Sequence, residues 1–287
     1  MRLAIINGEF KDKISIFDRG LAYGDGFFET TAWRFIKRKK DCRVEFWNRH
    51  LKRIKQTCQF LNIKISNFSR LEKDKKKILT KAHNIGMVEG VLKIIITRGE
   101  GGRGYKYEKN MKPNIMFIVS NKAEYPSDFY SNGVKIKISK SPITINNSLA
   151  GFKHLNRLDS VLARSEWEDH DVFDSIFIDN YNNIIEGTMS NLFFIKENVL
   201  YTPSINICGI KGIMREVVID KCCEFFDEIK ICELSKDFFL EAESIFLTNS
   251  LIKILPVKQV ESRKFVIGQR VLEIIKKFDD LKFLELK

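Results

Sequence analysis

The sequence predicts an α/β protein: an α+β N-terminal domain over residues 1–121, a connector over 122–133 and an α/β, barrel-like C-terminal domain over 134–287. Three observations predict this. At 287 residues the chain exceeds one average domain, so one large domain or two modest ones sharing an interface are the reasonable architectures. Apolar runs of strand length alternate with segments whose apolar residues recur at spacings of three and four. Residues 121–133 collect Asn, Glu, Pro, Ser, Asp and Gly between apolar runs, the composition of a connector.

The chain opens with a predicted hairpin, residues 3–6 and 13–17 about Asn7-Gly8, because Asn-Gly between apolar runs suits a tight primed turn. Over 47–62 the residues Trp47, Leu51, Ile54, Cys58 and Leu61 form the stripe of an amphipathic helix, with Arg53 beside it. A second helix spans 69–84. Its lysines at 73–77 fall between Leu71, Ile78 and Leu79 and read as a solvated face. Residues 91–97 and 115–120 are predicted buried strands joined by the Gly-rich stretch 99–104. The second half supplies strands near 134–139, 175–179, 184–185, 192–195 and 245–248, and helices near 155–168, 213–227 and 268–277. No internal repeat or low-complexity tract interrupts the pattern.

Composition narrows the function classes. Hydrophobic residues are 44% and charged residues 30%, which argues against disorder, a fibrous repeat and a membrane protein. The net charge of +12 would suit a polyanion, but the lysines are dispersed, so no nucleic-acid partner is expected. The N-terminal apolar run ends at Asn7-Gly8-Glu9, too early for a signal-peptide core, and no run approaches a membrane span. Six cysteines contain no CxxC pair, and adjacent Cys222 and Cys223 cannot easily bridge each other. Reduced thiols and a cytoplasmic location follow as expectations. His50, His83, His154 and His170 lack metal-site spacing, so no metal is expected.

Lys153 stands out by its setting, Leu149-Ala150-Gly151-Phe152-Lys153-His154-Leu155-Asn156-Arg157-Leu158. It follows small residues after a strand and loop, at the mouth of a helix predicted to start near Leu155. Partial burial and the helix's positive end would favour a neutral amine, which is a nucleophile and a proton carrier. Taken singly, the other polar residues have ordinary readings. Glu186 alone is a surface carboxylate, Arg53 a helix cation snorkelling over apolar neighbours, Asn249-Ser250 a turn, and Thr30 a β-branched strand residue.

Their order along the chain changes that reading. The segments are Asp18-Arg19-Gly20 with Tyr23-Gly24-Asp25-Gly26-Phe27-Phe28-Glu29-Thr30; His50-Leu51-Lys52-Arg53-Ile54; Lys153-His154-Leu155-Asn156-Arg157-Leu158; Ile185-Glu186-Gly187-Thr188-Met189-Ser190-Asn191-Leu192-Phe193; Gly209-Ile210-Lys211-Gly212-Ile213-Met214-Arg215; and Thr248-Asn249-Ser250 with Pro256-Val257. Together they resemble the class IV family of pyridoxal 5'-phosphate (PLP) enzymes, and within it the aminodeoxychorismate lyases. The resemblance covers nearly the whole chain.

It implies PLP fold type IV, the D-amino-acid aminotransferase-like fold, with PLP as cofactor. It makes Lys153 the Schiff-base lysine and Glu186 the carboxylate that keeps the PLP ring nitrogen protonated. Arg53 and the backbone amides of Ile213 and Met214 become the phosphate cradle, with further donors from Asn249 or Ser250. Many relatives carry Thr at the position of Met214, so only the backbone of Met214 is expected to donate.

Two local features and Thr30 favour the lyase over the D-amino-acid or branched-chain aminotransferases of the same fold. Arg98-Gly99-Glu100-Gly101-Gly102-Arg103-Gly104-Tyr105 resembles the lyase glycine loop, and Arg157 stands where aminotransferases commonly carry Tyr. Thr30 follows Glu29 where the aminotransferases usually have Gly or Val, and its hydroxyl suits a proton relay. The implied substrate is a small molecule, 4-amino-4-deoxychorismate, split to 4-aminobenzoate and pyruvate on the route to folate, with Phe28, Arg103 and Arg157 as substrate contacts. A homodimer is the implied assembly.

Overall fold

The structure, a computed structural model, describes residues 2–122 and 124–281. Two compact units emerge from the distribution of contacts. The first comprises the described residues up to Glu124 together with Lys153–Asn156; the second comprises Tyr125–Phe152 and residues 157–281.

The first unit contains β1 (Arg2–Ile6), β2 (Glu9–Phe10), α1 (Arg19–Tyr23), β3 (Gly26–Ile36), β4 (Asp41–Val44), α2 (Trp47–Phe60), α3 (Ser69–Asn84), β5 (Glu89–Thr97) and β6 (Asn114–Ser120). Its strands form one antiparallel sheet in the order β2-β1-β6-β5-β3-β4. Period-two alternation divides β3 and β5 between two faces. Phe27, Trp33, Leu92, Ile94 and Ile96 are buried and pack with Ile54 and Cys58 of α2 and Leu71, Ile78 and Leu79 of α3. Each such side chain contributes roughly 1.5–3 kcal/mol on leaving water. The alternate residues Phe28, Thr30, Lys93 and Ile95 fall on the opposite face and are half-buried. On α3, Lys73, Lys76 and Lys77 are exposed while Leu71, Ile78 and Leu79 are buried, the division their spacing predicts.

The opening hairpin differs from its prediction. Asn7 and Gly8 both take positive φ, 55° and 87°, as a primed two-residue turn requires. That turn sets the register Ile6↔Glu9 and Ile5↔Phe10, so the returning strand is β2 and the ladder closes before Lys13. Residues 13–17 are irregular, and Ile16 and Phe17 lie exposed.

The second unit contains α4 (Asp128–Asn132), β7 (Val134–Ile138), α5 (Leu158–Arg164), β8 (Val172–Ile178), β9 (Ile184–Gly187), β10 (Asn191–Lys196), β11 (Val199–Pro203), α6 (Ile213–Lys221), β12 (Glu228–Cys232), α7 (Lys236–Leu240), β13 (Ser244–Asn249), β14 (Lys253–Val260), β15 (Arg263–Lys264) and α8 (Gln269–Leu281). A mixed nine-stranded sheet runs β12-β11-β10-β13-β14-β7-β8-β9, with β15 paired to β14. The β11–β12, β14–β7 and β7–β8 pairs are parallel and the others antiparallel. Its core joins Ile176, Leu192, Phe194, Leu247, Leu255 and Val257 with Phe239 of α7.

Two predicted helices are shorter than their patterns suggest. The helix expected from 155 starts at Leu158, because the preceding backbone is committed elsewhere. The Gly151 amide donates to the Gly209 carbonyl, the Lys211 amide to the Gly151 carbonyl and the Leu155 amide to the Gly26 carbonyl. The helix expected over 213–227 ends at Lys221, and residues 228–232 pair in parallel with β11. All six cysteines are free. Among the described residues no helix is long and apolar enough to cross a membrane, and no metal-binding cluster of His, Cys, Asp or Glu occurs.

Candidate active site

In the first unit Lys153 is held in extended backbone against β3. The Phe28 amide donates to the Lys153 carbonyl at 3.1 Å, and His154 bridges to Phe27. With α5 starting only at Leu158, Lys153 is not at a helix mouth, and its setting is this strand-like contact instead. Its amine lies 4.3 Å from the centre of the Phe28 ring. The Lys93 amine lies 5.2 Å from that same ring. Lys93 pairs with Thr30 across the β3–β5 ladder, so these two residues are side by side on the half-buried face.

Behind that face is a buried ionic knot. Glu29 is 1% exposed and accepts two hydrogen bonds from Arg53, Nε to Oε1 at 2.7 Å and Nη2 to Oε2 at 2.6 Å. His50 Nδ1 lies 2.7 Å from Oε2. Two facts place these groups together: β3 alternation puts Glu29 on the buried side, and α2 presents His50 and Arg53 three residues apart on one face. Burial alone would raise the Glu29 carboxyl. The charges of Arg53 and His50 and their hydrogen bonds outweigh that and hold it at about 2. Arg53 is thus fixed by a bidentate carboxylate rather than left to sweep solvent.

A second knot holds the glycine loop. Asp25 accepts from Arg98 Nε at 2.7 Å and from Arg19 Nε at 2.9 Å. Burial favours the protonated carboxyl, but the two guanidiniums win and lower it. Arg19 also donates to the carbonyls of Gly104 and Tyr105, and the Gly104 amide donates to the Tyr23 hydroxyl. The loop backbone just after Arg103 is therefore anchored, while the Arg103 side chain is exposed.

The second unit presents a carboxylate and a helix end. Glu186, 5% exposed on β9, accepts through Oε2 from the Ile210 amide at 2.9 Å and from Asn191 Nδ2 at 3.1 Å. Asn191 also donates to the Ile210 carbonyl, so it ties the carboxylate to the turn before α6. The helix α6 begins at Ile213 without a side-chain cap, leaving its first amides as anion donors. The Ile213 and Met214 side chains are buried at 2% and 1%, so only their backbones are available to a ligand.

Arg157 is half-buried just before α5. Burial lowers its guanidinium against the opposing pull of Glu186 and Asp159. Asn249 spends its side chain on its own turn, with Oδ1 accepting from the amides of Leu251 and Ile252 and Nδ2 donating to the Met189 carbonyl. Ser250 follows it, its carbonyl accepting from Lys253.

The structure therefore groups Lys153, Phe28, Thr30 and Arg53 in the first unit, with Arg103 on its loop, and Glu186, Ile213, Met214, Arg157, Asn249 and Ser250 in the second. Sequence reasoning gave no role to Glu29, His50, Lys93 or Asn191. A signal existed for Glu29: it alternates with Phe27 and Thr31, which places a carboxylate on the core face of a strand. A cavity of about 550 Å³, lined by Arg43, Trp47, Glu72, Lys73, Lys75 and Lys76 among others, includes none of the predicted site residues.

Comparison with known proteins adds four findings. Residues 26–260 match the amino-transferase class IV family. An aminodeoxychorismate lyase of Vibrio harveyi is 28% identical over 260 residues, covering 90% of this chain and 91% of that protein. A putative branched-chain-amino-acid aminotransferase of Methanocaldococcus jannaschii is 29% identical over 286 residues, covering 98% and 95%. Among solved structures, the 4-amino-4-deoxychorismate lyase from Pseudomonas aeruginosa superposes with a TM-score of 0.89 at 32% identity, covering 98% of this chain and 100% of that one.

Proposed function

The chain belongs to the class IV aminotransferase family, whose fold it shares, and from that premise we propose that it is a PLP-dependent lyase converting 4-amino-4-deoxychorismate to 4-aminobenzoate and pyruvate. The observation that carries the proposal is Lys153: its amine lies 4.3 Å from the Phe28 ring, which shares a sheet face with Thr30 and Lys93. An amine and a hydroxyl on neighbouring positions suit a reaction with two proton transfers. The similarity to two lyases supports it further.

The residues present fit the cofactor chemically. Arg53 is a guanidinium fixed by Glu29, α6 offers uncapped amides, Glu186 is a buried carboxylate with two donors on one oxygen, and Lys153 is a primary amine. Arg53, the amides of Ile213 and Met214, and Ser250 would be the phosphate donors, Glu186 the partner of the ring nitrogen and Lys153 the attachment point. PLP, when bound, supplies an electron sink for a carbanion adjacent to nitrogen.

The protein's own work is then proton handling and positioning. Lys153 would remove the proton from the amine-bearing ring carbon of the substrate. The enolpyruvyl C–O bond breaks as the ring becomes aromatic, and Lys153 or the Thr30 hydroxyl delivers a proton to the enolpyruvate methylene. Lys93, Arg103 and Arg157 are the cations proposed for the two substrate carboxylates. Exposed apolar residues such as Ile16, Phe17 and Leu21 in the first unit and Leu158, Val161 and Leu162 in the second support a homodimer.

Thr30 separates lyase from aminotransferase chemistry. Thr30→Val, which keeps the side-chain shape and removes the hydroxyl, is expected to lower kcat about 100-fold while PLP affinity stays unchanged. Thr30→Ser is expected to restore most of the rate. Steady-state kinetics with pyruvate detection checks this, and an unchanged kcat in Thr30→Val removes Thr30 from the mechanism. A D-amino-acid or branched-chain aminotransferase would instead require a keto acid for turnover.

A further inference from the structure

We infer that Asp174 is a positioning residue that sets Glu186 by closing the turn between Glu186 and Asn191. Asp174 lies on β8 with no exposed surface and no cation bonded to it among the described residues. Its Oδ1 accepts from the Ser175 amide at 2.8 Å, the Thr188 amide at 3.0 Å and the Thr188 hydroxyl at 2.6 Å. Its Oδ2 accepts from the Ser190 hydroxyl at 2.7 Å. Four donors therefore converge on one carboxyl.

Three of those four donors belong to the turn that separates Glu186 from Asn191. The turn is closed further by the Gly187 amide donating to the Ser190 carbonyl at 2.7 Å and the Thr188 amide to the Ser175 carbonyl at 3.0 Å. A side chain at 187 would put its Cβ 2.4 Å from Asp174 Oδ2 and 2.3 Å from Ser190 Oγ, so glycine is what lets the turn wrap the carboxyl this closely. Both ends of the turn act on the same atom: Glu186 supplies Oε2, and Asn191 donates to it at 3.1 Å. Burial raises the Asp174 carboxyl even against these donors.

The consequence rests on the proposed PLP reading: Glu186 can serve a ring nitrogen only if its carboxylate keeps one orientation, and the Asp174 turn limits where it points. Asp174 touches no reacting group itself. Its effect reaches the cofactor through Thr188 and Ser190.

The test uses the PLP-loaded protein and three readouts: the PLP dissociation constant, the position of the visible absorption band, and kcat against KM. Thr188→Val removes one hydroxyl donor while keeping the branched shape, and Thr188→Ser keeps the donor. Thr188→Val is expected to weaken PLP binding and to lower kcat, each roughly tenfold, the effect of one hydrogen bond to a charged group, with KM unchanged. Thr188→Ser is expected to behave like wild type. Ser190→Ala, which removes the donor to Oδ2, is expected to shift the same constants in the same direction.

Unchanged PLP affinity and band position in folded Thr188→Val and Ser190→Ala proteins overturn the inference, even if both melt at lower temperature. A wild-type protein that forms no visible band with PLP overturns the cofactor reading itself, a result distinct from any difference among the variants.

Discussion

Replacing Lys153 with alanine is expected to abolish the visible absorption of the PLP-loaded protein and to lower turnover by about 10⁴-fold or more, because proton transfer alone contributes up to that much and the proposed covalent attachment would be lost as well. The expectation rests on position. The backbone of Lys153 is bound to β3 through the Phe28 amide, and its amine rests on the Phe28 ring. Lys93 competes for the role, since its amine lies 5.2 Å from the same ring centre. Lys93, however, projects from the middle of β5 beside Thr30, a position better suited to receiving a substrate carboxylate than to both attaching a cofactor and moving protons. Spectra of PLP-loaded Lys153→Ala and Lys93→Ala decide between them. A band that survives in Lys153→Ala and disappears in Lys93→Ala exchanges the two roles.

Removing Glu29 has the largest expected effect on stability. Glu29→Ala leaves Arg53 and His50 facing a buried gap, and breaking a buried ion pair from one side typically costs about 3–5 kcal/mol. The pH dependence follows from the depressed carboxyl. Glu29 is held at about 2 against an ordinary 4.5, so its contribution is complete above the ordinary value and is lost as pH falls from there toward 2. A shift of that size corresponds to about 3 kcal/mol. Urea unfolding of wild type and Glu29→Gln at pH 7 and near pH 3 checks the sign. The gap between the two proteins narrows at the lower pH; a gap independent of pH means the carboxylate charge does not stabilise the fold. Glu29→Gln is also expected to weaken PLP binding, because Arg53 loses the partner that orients it.

Much of this was legible in the sequence because the relevant signals are local. The stripe Trp47, Ile54 and Cys58 was enough to define α2, and Asn7-Gly8 was enough to define a primed turn. What the turn pairs was not legible. Register closes the hairpin at Phe10, whereas residues 13–17 have a strand's composition but join no strand among the described residues. The helix expected from 155 was shortened by backbone hydrogen bonds to Gly26 and Gly209, residues far away along the chain.

The candidate site divides in the same way. Lys153, Arg53 and Glu186 stand in contiguous motifs, so a single chain displays them. The groups that hold them do not. Glu29 meets Arg53 from 24 residues away, Glu186 receives the Ile210 amide from 24 residues away, and Asp174 reaches Ser190 across 16. Those distances close only when a strand and a helix, or two strands, have packed. A sequence therefore shows which groups are available for chemistry more readily than which groups orient them.

The most direct test of the lyase proposal is to incubate the purified, PLP-saturated protein with 4-amino-4-deoxychorismate, without any keto acid, and to quantify pyruvate and 4-aminobenzoate together. Equimolar formation of both products, lost in Lys153→Ala, is the expected result. Substrate that stays intact until a keto acid is added, followed by amino transfer without pyruvate release, would contradict the proposal and assign the chain to the aminotransferases of its family.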